Sequence, residues 1–142
     1  MDKYDKIKLD NQVCFSLYAL SREVIKLYKP LLDKHNLTYT QYVTMLVIWE
    51  EEKIVFKDLA KRLHLDSGTL TPVLKKLESM ELITKYRDKN DDRLVIVELM
   101  PKGRLLKDDI LEVPESLYCQ IEGDEDLLLL KKYLDKFLNK LD

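Results

Sequence analysis

The hydrophobic period of the sequence changes near residue 83, and this change limits the folds that the chain can adopt. Before that point, apolar residues recur at every third or fourth position, as they do in amphipathic helices. Residues 83–87 and 94–99 are instead short β-prone stretches, and the polar run 88–93 separates them. The sequence therefore predicts a series of helices followed by one β-hairpin.

Four helical segments precede the hairpin. The first has apolar residues at helical spacing from Val13 to Leu31. Thr38 and Gln41 have the S/T-x-x-Q spacing of a capping box, which marks the start of the second. The predicted helices cover residues 10–35, 38–51, 55–63 and, after a turn at 65–68, a fourth segment that reaches residue 80.

Two more helices follow the hairpin. Pro101 suits the first position of a fifth helix that reaches about residue 118, and after Gly123 a last helix covers 124–141. The terminal helical regions carry more apolar surface than a small central core can cover. We therefore expect them to pair with the same elements of a second chain in a two-fold homodimer.

This order of elements is that of a winged helix-turn-helix, a mainly α fold with a small β-hairpin. The length of 142 residues fits a single domain covering 1–142. Within it, residues 10–35 and 102–141 are the expected dimerisation helices, and residues 38–99 are the expected DNA-binding region.

Charge and composition narrow the class of protein. The net charge is −2, yet residues 53–93 hold ten Lys and Arg against seven Asp and Glu, which hints at a local anion-binding face. No apolar run is long enough to span a bilayer, and residues 1–9 lack the apolar core of a secretory signal. We expect a cytoplasmic protein with no membrane partner, whose two cysteines form no permanent disulfide. No His or Cys cluster has zinc-binding spacing, and neither a metal nor a cofactor is expected.

The fourth helix and the hairpin carry the residues expected to contact double-stranded DNA. Small residues at a helix start allow close approach to base edges and phosphates, and lysines later in the helix face phosphates. A basic hairpin tip can place an arginine in a neighbouring minor groove, and Asp91 or Asp92 can hold Arg93 for that purpose. An ordinary capped helix and a solvated turn are the alternative interpretations. The candidate contacts are Ser67, Gly68, Thr69, Thr71, Lys75, Lys76, Lys85, Arg87, Asp91 and Arg93.

Several runs of the sequence resemble one family. The run D-S-G-T-L-T-P at 66–72 resembles the recognition helix of MarR-family regulators, and D-D-R at 91–93 resembles their wing signature. The runs N-Q-V-C-F-S-L-Y at 11–18 and Y-T-Q-Y at 39–42 are similar to the OhrR branch, which senses organic hydroperoxides. The resemblance covers nearly the whole chain. It departs from the family at Lys76, where relatives often have arginine, and at the M-P-K-G run 100–103.

The resemblance implies a dimeric repressor that occupies an inverted-repeat operator and leaves it when Cys14 is oxidised by an organic hydroperoxide. It implies that Tyr28 and Tyr39 of the partner subunit hydrogen-bond the reactive sulfur, and Tyr18, one turn after Cys14, is placed to join them. In one subset of the family a second cysteine resolves the oxidised thiol, and Cys119 matches it. Without such a resolver, Cys14 would act alone, with a low-molecular-weight thiol as its partner.

The residues around Cys14 agree with that role. Cys14 lies near a helix start, where the helix dipole favours negative charge, but no Lys or Arg is adjacent on its helical face. Activation would then come from hydrogen bonds, which tyrosine hydroxyls can donate. Phe15 and Leu17 suit an organic hydroperoxide better than hydrogen peroxide. The alternatives are that both cysteines are small core residues and that the tyrosines are interface core.

Three other functions compete with a redox-switched regulator. The first is a repressor of the same type that a small aromatic ligand releases from DNA. The second is a thiol peroxidase, but the sequence lacks a P-x-x-x-T/S-x-x-C arrangement and an arginine near Cys14, so an enzyme is not expected. The third is a helical adaptor with no nucleic-acid partner.

Overall fold

The computed structural model describes residues 2–117 and 123–142. Two short 3-10 turns, Lys3–Ile7 and Leu9–Asn11, precede the regular elements. The helices and strands that follow are α1 (Val13–Asp33), α2 (Tyr39–Glu51), β1 (Lys53–Val55), α3 (Phe56–Leu63), α4 (Ser67–Ser79), β2 (Ile83–Arg87), β3 (Val95–Leu99), α5 (Pro101–Asp109), α6 (Glu112–Glu115) and α7 (Glu125–Leu141). This is the mainly helical winged fold that the sequence predicts.

The sheet has three antiparallel strands in the order β1-β3-β2, whereas the sequence predicts a hairpin alone. The hairpin strands β2 and β3 pair from Ile83↔Leu99 to Arg87↔Val95. The additional strand β1 pairs with the other edge of β3, with Ile54 opposite Val97. The third helix, predicted to begin at about residue 55, begins at Phe56, because Val55 belongs to the strand.

Helix starts follow from local hydrogen bonds, as predicted. At α2, the Thr38 hydroxyl accepts from the Gln41 N–H at 3.3 Å, and the Gln41 side chain accepts from the Thr38 N–H at 3.0 Å, which completes a capping box. At α4, the Asp66 carboxylate accepts from the Thr69 N–H at 2.7 Å. The backbone N–H and the hydroxyl of Thr69 hold the pKa of Asp66 below its usual value. These bonds fix the direction of both helices without help from distant residues.

The core lies where α1, α2, α3 and α4 meet the sheet. Its largest fully buried apolar side chains are Leu32, Met45, Ile48, Leu59, Leu70, Leu74, Leu77, Val97 and Val113. The backbone of α5 at Gly103 lies close to the backbone of Leu82. A Cβ atom on residue 103 would lie only 2.2 Å from the Leu82 carbonyl oxygen, so only glycine permits this approach. The Trp49 indole also donates to the Gly103 carbonyl at 2.8 Å. The start of α5 is thus held rigidly against the winged-helix core.

The helix after the sheet is shorter than predicted. The sequence predicts one helix from Pro101 to about residue 118, but α5 ends at Asp109 and a separate turn, α6, follows. A proline ring clashes with the carbonyl group four residues earlier, and for Pro114 that residue is Ile110, directly after the end of α5. The break therefore lies where Pro114 disfavours a continuous helix.

The terminal helices leave large apolar faces uncovered. Across the described residues α7 has no buried side chain, and α1 buries only Tyr28 and Leu32. The exposed apolar residues of these two helices include Val13, Phe15, Tyr18, Leu20, Ile25 and Leu27 on α1, and Leu128, Leu129, Leu130, Tyr133, Phe137, Leu138 and Leu141 on α7. An apolar surface of this extent on a charged chain needs a partner.

Within 2–117 and 123–142, none of the helices combines the length and the apolar character that crossing a bilayer requires.

Candidate nucleic-acid interface and reactive thiol

The outer face of α4 is open to solvent. Its inner face is anchored by Leu70, Leu74 and Leu77, which are fully buried. All six α4 residues that the sequence singled out as candidate contacts are exposed, namely Ser67, Gly68, Thr69, Thr71, Lys75 and Lys76. The Thr71 hydroxyl donates to the Ser67 carbonyl at 2.7 Å, so this side chain lies back along the helix. The helix therefore presents a narrow, small-residue surface at its first turns.

The start of α4 lies beside the wing, which is the hairpin formed by β2, β3 and the residues between them, and the two line a pair of adjoining clefts. Ser67 and Thr71 line a cleft of about 360 Å³ together with Lys85 and Arg87 of β2. Ser67 also lines a neighbouring cleft of about 630 Å³ with Asp91 and Arg93. Phe56 and Lys57 at the start of α3 contribute to the larger cleft, and sequence analysis did not single them out. The fold thus brings together most of the candidate DNA contacts on one side of the molecule.

The wing tip holds its arginines by short-range contacts. The Asp91 carboxylate accepts from Arg93 Nε at 2.9 Å, from Arg93 Nη2 at 3.0 Å and from the Arg93 backbone N–H at 3.1 Å. This pairing lowers the pKa of Asp91 and raises that of Arg93. Arg87 Nη1 donates to the Asp92 carbonyl at 2.7 Å. The Arg93 side chain is nonetheless 86% exposed, so its free edge faces outward.

Lys76 lies apart from this group. It follows Ser67 by nine residues, about two and a half helical turns, which places it on the opposite flank of α4. There it lines a separate cleft of about 500 Å³ with His35, Asn36 and Lys102. Lys75, four residues after Thr71, remains on the flank nearer the wing.

Cys14 occupies the first turn of α1 and is exposed in the chain. Gln12, two residues before Cys14, donates hydrogen bonds from its side-chain amide to the carbonyls of Lys6 and Lys8, both at 2.8 Å. The N–H groups of the first turn of α1 are thus not capped by Gln12, and they remain available to a negative charge at the helix start. One turn later Tyr18 is also exposed, with its ring 6.5 Å from that of Phe15.

Three tyrosines cluster at the other end of α1. The ring centroid of Tyr28 lies 4.9 Å from that of Tyr39 and 5.7 Å from that of Tyr42. Burial, and to a smaller extent the Tyr39 phenol, raises the pKa of Tyr42 above its usual value. Tyr28 follows Cys14 by fourteen residues of one helix, a separation of about 21 Å. A single chain therefore places Tyr18, but not Tyr28 or Tyr39, within about one helical turn of Cys14.

The second candidate redox residue, Cys119, lies outside the described residues. In the part of the chain that is described, no three His, Cys, Asp or Glu side chains converge to hold a metal ion.

Comparison with known proteins identifies relatives over nearly the full length. A family described as "Transcriptional regulator SarA/Rot" matches residues 26–110. The organic hydroperoxide resistance transcriptional regulator of Bacillus subtilis is 46% identical over 141 residues, which cover 99% of this chain and 96% of that protein. The regulator SarZ of Staphylococcus saprophyticus is 39% identical, over 93% of this chain and 91% of that protein.

Solved structures give the same result. Reduced AbfR bound to DNA, a protein of Staphylococcus epidermidis, is 30% identical and superposes with a TM-score of 0.85 over 99% of both chains. The disulfide form of AbfR is 33% identical and superposes less closely, with a TM-score of 0.67 over 93% of this chain and 96% of that one. These relatives are regulators rather than enzymes. The chain belongs to the family of winged-helix transcriptional regulators that includes the organic hydroperoxide resistance regulator and the SarA/Rot proteins.

Proposed function

We propose that the chain is a redox-sensing transcriptional repressor, which binds an inverted-repeat operator as a homodimer and leaves it when an organic hydroperoxide oxidises Cys14. The observation that carries the proposal is the pair of shared clefts, in which the small-residue start of α4 faces the basic wing. The resemblance to reduced AbfR, which was solved bound to DNA, supports it.

On DNA, α4 would enter the major groove with Gly68 and Thr69 leading, because residues without bulk let the helix start approach the base edges. The N–H groups at its first turn and Lys75 would contact phosphates. Arg93, which Asp91 holds but leaves exposed, would reach into the adjacent minor groove. Lys76 would contact phosphates on the opposite flank of the helix.

The dimer would form through the uncovered faces of α1 and α7. In a dimer with a two-fold axis, the DNA-binding regions of the two chains, residues 38–99, point in opposite directions, as the two halves of an inverted repeat do. We call each of these regions a reading head. If the two α1 helices pair in opposite directions, Cys14 of one chain approaches the Tyr28 end of the other. The separation of about 21 Å within one helix supports this arrangement, since only a second chain can close it.

The redox step begins with the Cys14 thiolate. Its sulfur attacks one oxygen of the hydroperoxide, the O–O bond breaks, and the products are Cys14 sulfenic acid and, after protonation, an alcohol. The thiol of Cys119 from the partner subunit would then attack the sulfenic sulfur, forming an S–S bond and releasing water. The existence of a disulfide form of AbfR, with a conformation less similar to this chain than the reduced form, supports a switch between two arrangements.

A second candidate function is release by a small aromatic ligand rather than by oxidation. The cleft beside Lys76 favours it, because Lys76 and Lys102 line this cleft together with the apolar side chains of Met80 and Leu106. A cleft of this kind would suit an aromatic carboxylate.

The test is fluorescence anisotropy with a labelled duplex from the region upstream of the protein's own gene. We expect the reduced protein to bind with an affinity that falls steeply as salt rises. Cumene hydroperoxide should weaken binding by about tenfold or more, a typical size for coupling between two sites, and dithiothreitol should restore it. Release by salicylate but not by hydroperoxide would favour the second candidate, and salt-independent or absent binding would contradict both.

Replacing Arg93 with Ala should weaken DNA binding without unfolding the protein. A minor-groove arginine acts mainly through charge and groove shape, so we expect a loss of about tenfold at low salt and a smaller loss at high salt. The control is Lys132→Ala, which removes the same charge from the exposed surface of α7. An Arg93→Ala protein with native affinity at low salt, measured by anisotropy, would rule out the wing contact.

A further inference from the structure

Arg22 makes a specific contact with the tyrosine that lies next to the reactive cysteine. Cys14, Tyr18 and Arg22 follow one another at four-residue spacing, and therefore share one face of α1. Arg22 Nη1 donates a hydrogen bond to the Tyr18 hydroxyl at 3.1 Å. The guanidinium carbon lies 5.4 Å from the centre of the Tyr18 ring, within the range of a cation–π interaction. The hydroxyl and the ring of Tyr18 are thus both in contact with the same cation.

This contact decides what the Tyr18 hydroxyl can do. A phenol oxygen can accept and donate, and Arg22 can only donate. The hydrogen bond from Arg22 therefore occupies a lone pair of the phenol oxygen and leaves the O–H free to donate elsewhere. A cation on the oxygen also withdraws electron density and makes that O–H a stronger donor.

Tyr18 and Cys14 lie one turn apart on the same face of α1. Side chains on an α-helix lean toward its N-terminus, so Arg22 covers the turn of Tyr18 and Tyr18 covers the turn of Cys14. The observed contact from Arg22 back to Tyr18 follows this direction. The same lean would bring the Tyr18 hydroxyl to the side of the helix that carries the Cys14 sulfur.

We propose that Arg22 is a positioning residue, which orients and polarises the Tyr18 hydroxyl so that it stabilises the thiolate form of Cys14. The proposal rests on the proposed function only in taking Cys14 as the reactive thiol. Sequence analysis missed Arg22 because it sought a cation adjacent to Cys14, whereas the charge acts through the tyrosine between them.

Other charged groups near Cys14 do not supply the same effect. Before α1, Lys8 pairs with Asp5 at 2.6 Å, and Asp10, four residues before Cys14, carries a negative charge that opposes a thiolate. On α1, the next cation, Lys26, pairs with Glu23 at 3.1 Å. Lys26 therefore provides a matched control, because it has the same charge, helix and exposure class as Arg22 but makes no contact with Tyr18 among those described.

The experiment measures the rate of Cys14 alkylation by iodoacetamide between pH 5 and 10, in reduced protein with Cys119→Ser so that one thiol reports. We expect Arg22→Met to lower the alkylation rate at neutral pH by about three- to tenfold, because less of the Cys14 thiol would be present as the reactive thiolate. Tyr18→Phe should have a similar effect, the double variant should add little to either, and Arg22→Lys should restore most of the rate. Lys26→Met should leave the pH profile unchanged.

Two results would overturn the proposal. One is an unchanged pH profile in Arg22→Met, with circular dichroism confirming a native fold. The other is a full Arg22→Met effect in the Tyr18→Phe background, since the charge would then act directly on the sulfur. The alkylation assay contains neither DNA nor hydroperoxide, so its result does not depend on the proposed function. If Arg22→Met shifts the pH profile of alkylation but hydroperoxide does not release the native protein from DNA, the proposed function is refuted and this inference is not.

Discussion

Cys14→Ser should bind the operator as tightly as the native protein and should no longer leave it when hydroperoxide is added. Cys14 is exposed and packs into no part of the described core, so the substitution removes the thiolate without creating a cavity. A serine hydroxyl is not oxidised by a hydroperoxide, and the first step of the switch cannot occur. Anisotropy at increasing cumene hydroperoxide should show release of the native protein and a flat response for the variant.

Cys119→Ser separates the two forms of this switch. After hydroperoxide treatment, a non-reducing gel should show native protein at twice the 16.9 kDa chain mass, and the band should disappear in both cysteine variants. If the disulfide is required, both variants lose release. If the sulfenic acid is sufficient, only the Cys14→Ser variant loses release from DNA, and Cys119→Ser still leaves the operator. A native protein that stays at monomer mass on the gel yet leaves DNA would refute the two-cysteine switch, and would favour a mixed disulfide with a low-molecular-weight thiol.

The fold offers a route from the thiol to the reading heads. A disulfide needs Cα atoms closer than about 7 Å, so any greater distance in the reduced dimer must be closed by helix movement. The start of α5 lies against the strand β2 and helix α2, because Gly103 packs closely on the backbone of Leu82, just before β2, and the Gly103 carbonyl accepts a hydrogen bond from Trp49 of α2. A displaced α5 would therefore carry the sheet with it and change the spacing of the two reading heads.

The elements that sequence analysis predicted correctly are those fixed by neighbouring residues. Thr38 with Gln41, and Asp66 with Thr69, define helix starts within four residues. The strand β1 was not predicted, because its three residues form strand hydrogen bonds only with β3, which lies more than forty residues later in the sequence. The end of α5 at Asp109 was not predicted, because a proline in the sequence does not by itself fix a helix end: Pro30 and Pro72 lie inside the continuous helices α1 and α4.

The same distinction applies to the candidate site. Asp91 and Arg93 are two residues apart, and their pairing was among those expected from the sequence. The cluster of Tyr28 and Tyr39 joins two helices, and its relation to Cys14 depends on a second chain, which hydrophobic periodicity cannot position. Arg22 lies at the four-residue spacing that helix patterns do reveal, but only the observed hydrogen bond gives it a role.

Phe137→Glu should convert the protein to a folded monomer that binds the operator about a hundredfold more weakly, or worse. Phe137 is 39% exposed, on a helix that contributes no buried side chain to the described core, so the change should not affect the stability of the winged helix. Burial of an aromatic side chain is worth about 1.5–3 kcal/mol, and a two-fold interface loses two of them. The loss of about 3–6 kcal/mol raises the dimer dissociation constant by about two to four orders of magnitude.

DNA binding would fall with the dimer, because two linked reading heads bind two half-sites far more tightly than either head alone. Sedimentation velocity at micromolar concentration and anisotropy measure the two effects, and circular dichroism checks the fold. Asn139→Glu is the matched control: it adds the same charge two residues later, on a different face of α7, and should leave both dimer and affinity intact. A native protein that sediments at 16.9 kDa, or a Phe137→Glu protein that remains dimeric, would remove the uncovered face of α7 from the interface and with it the basis for a two-fold operator.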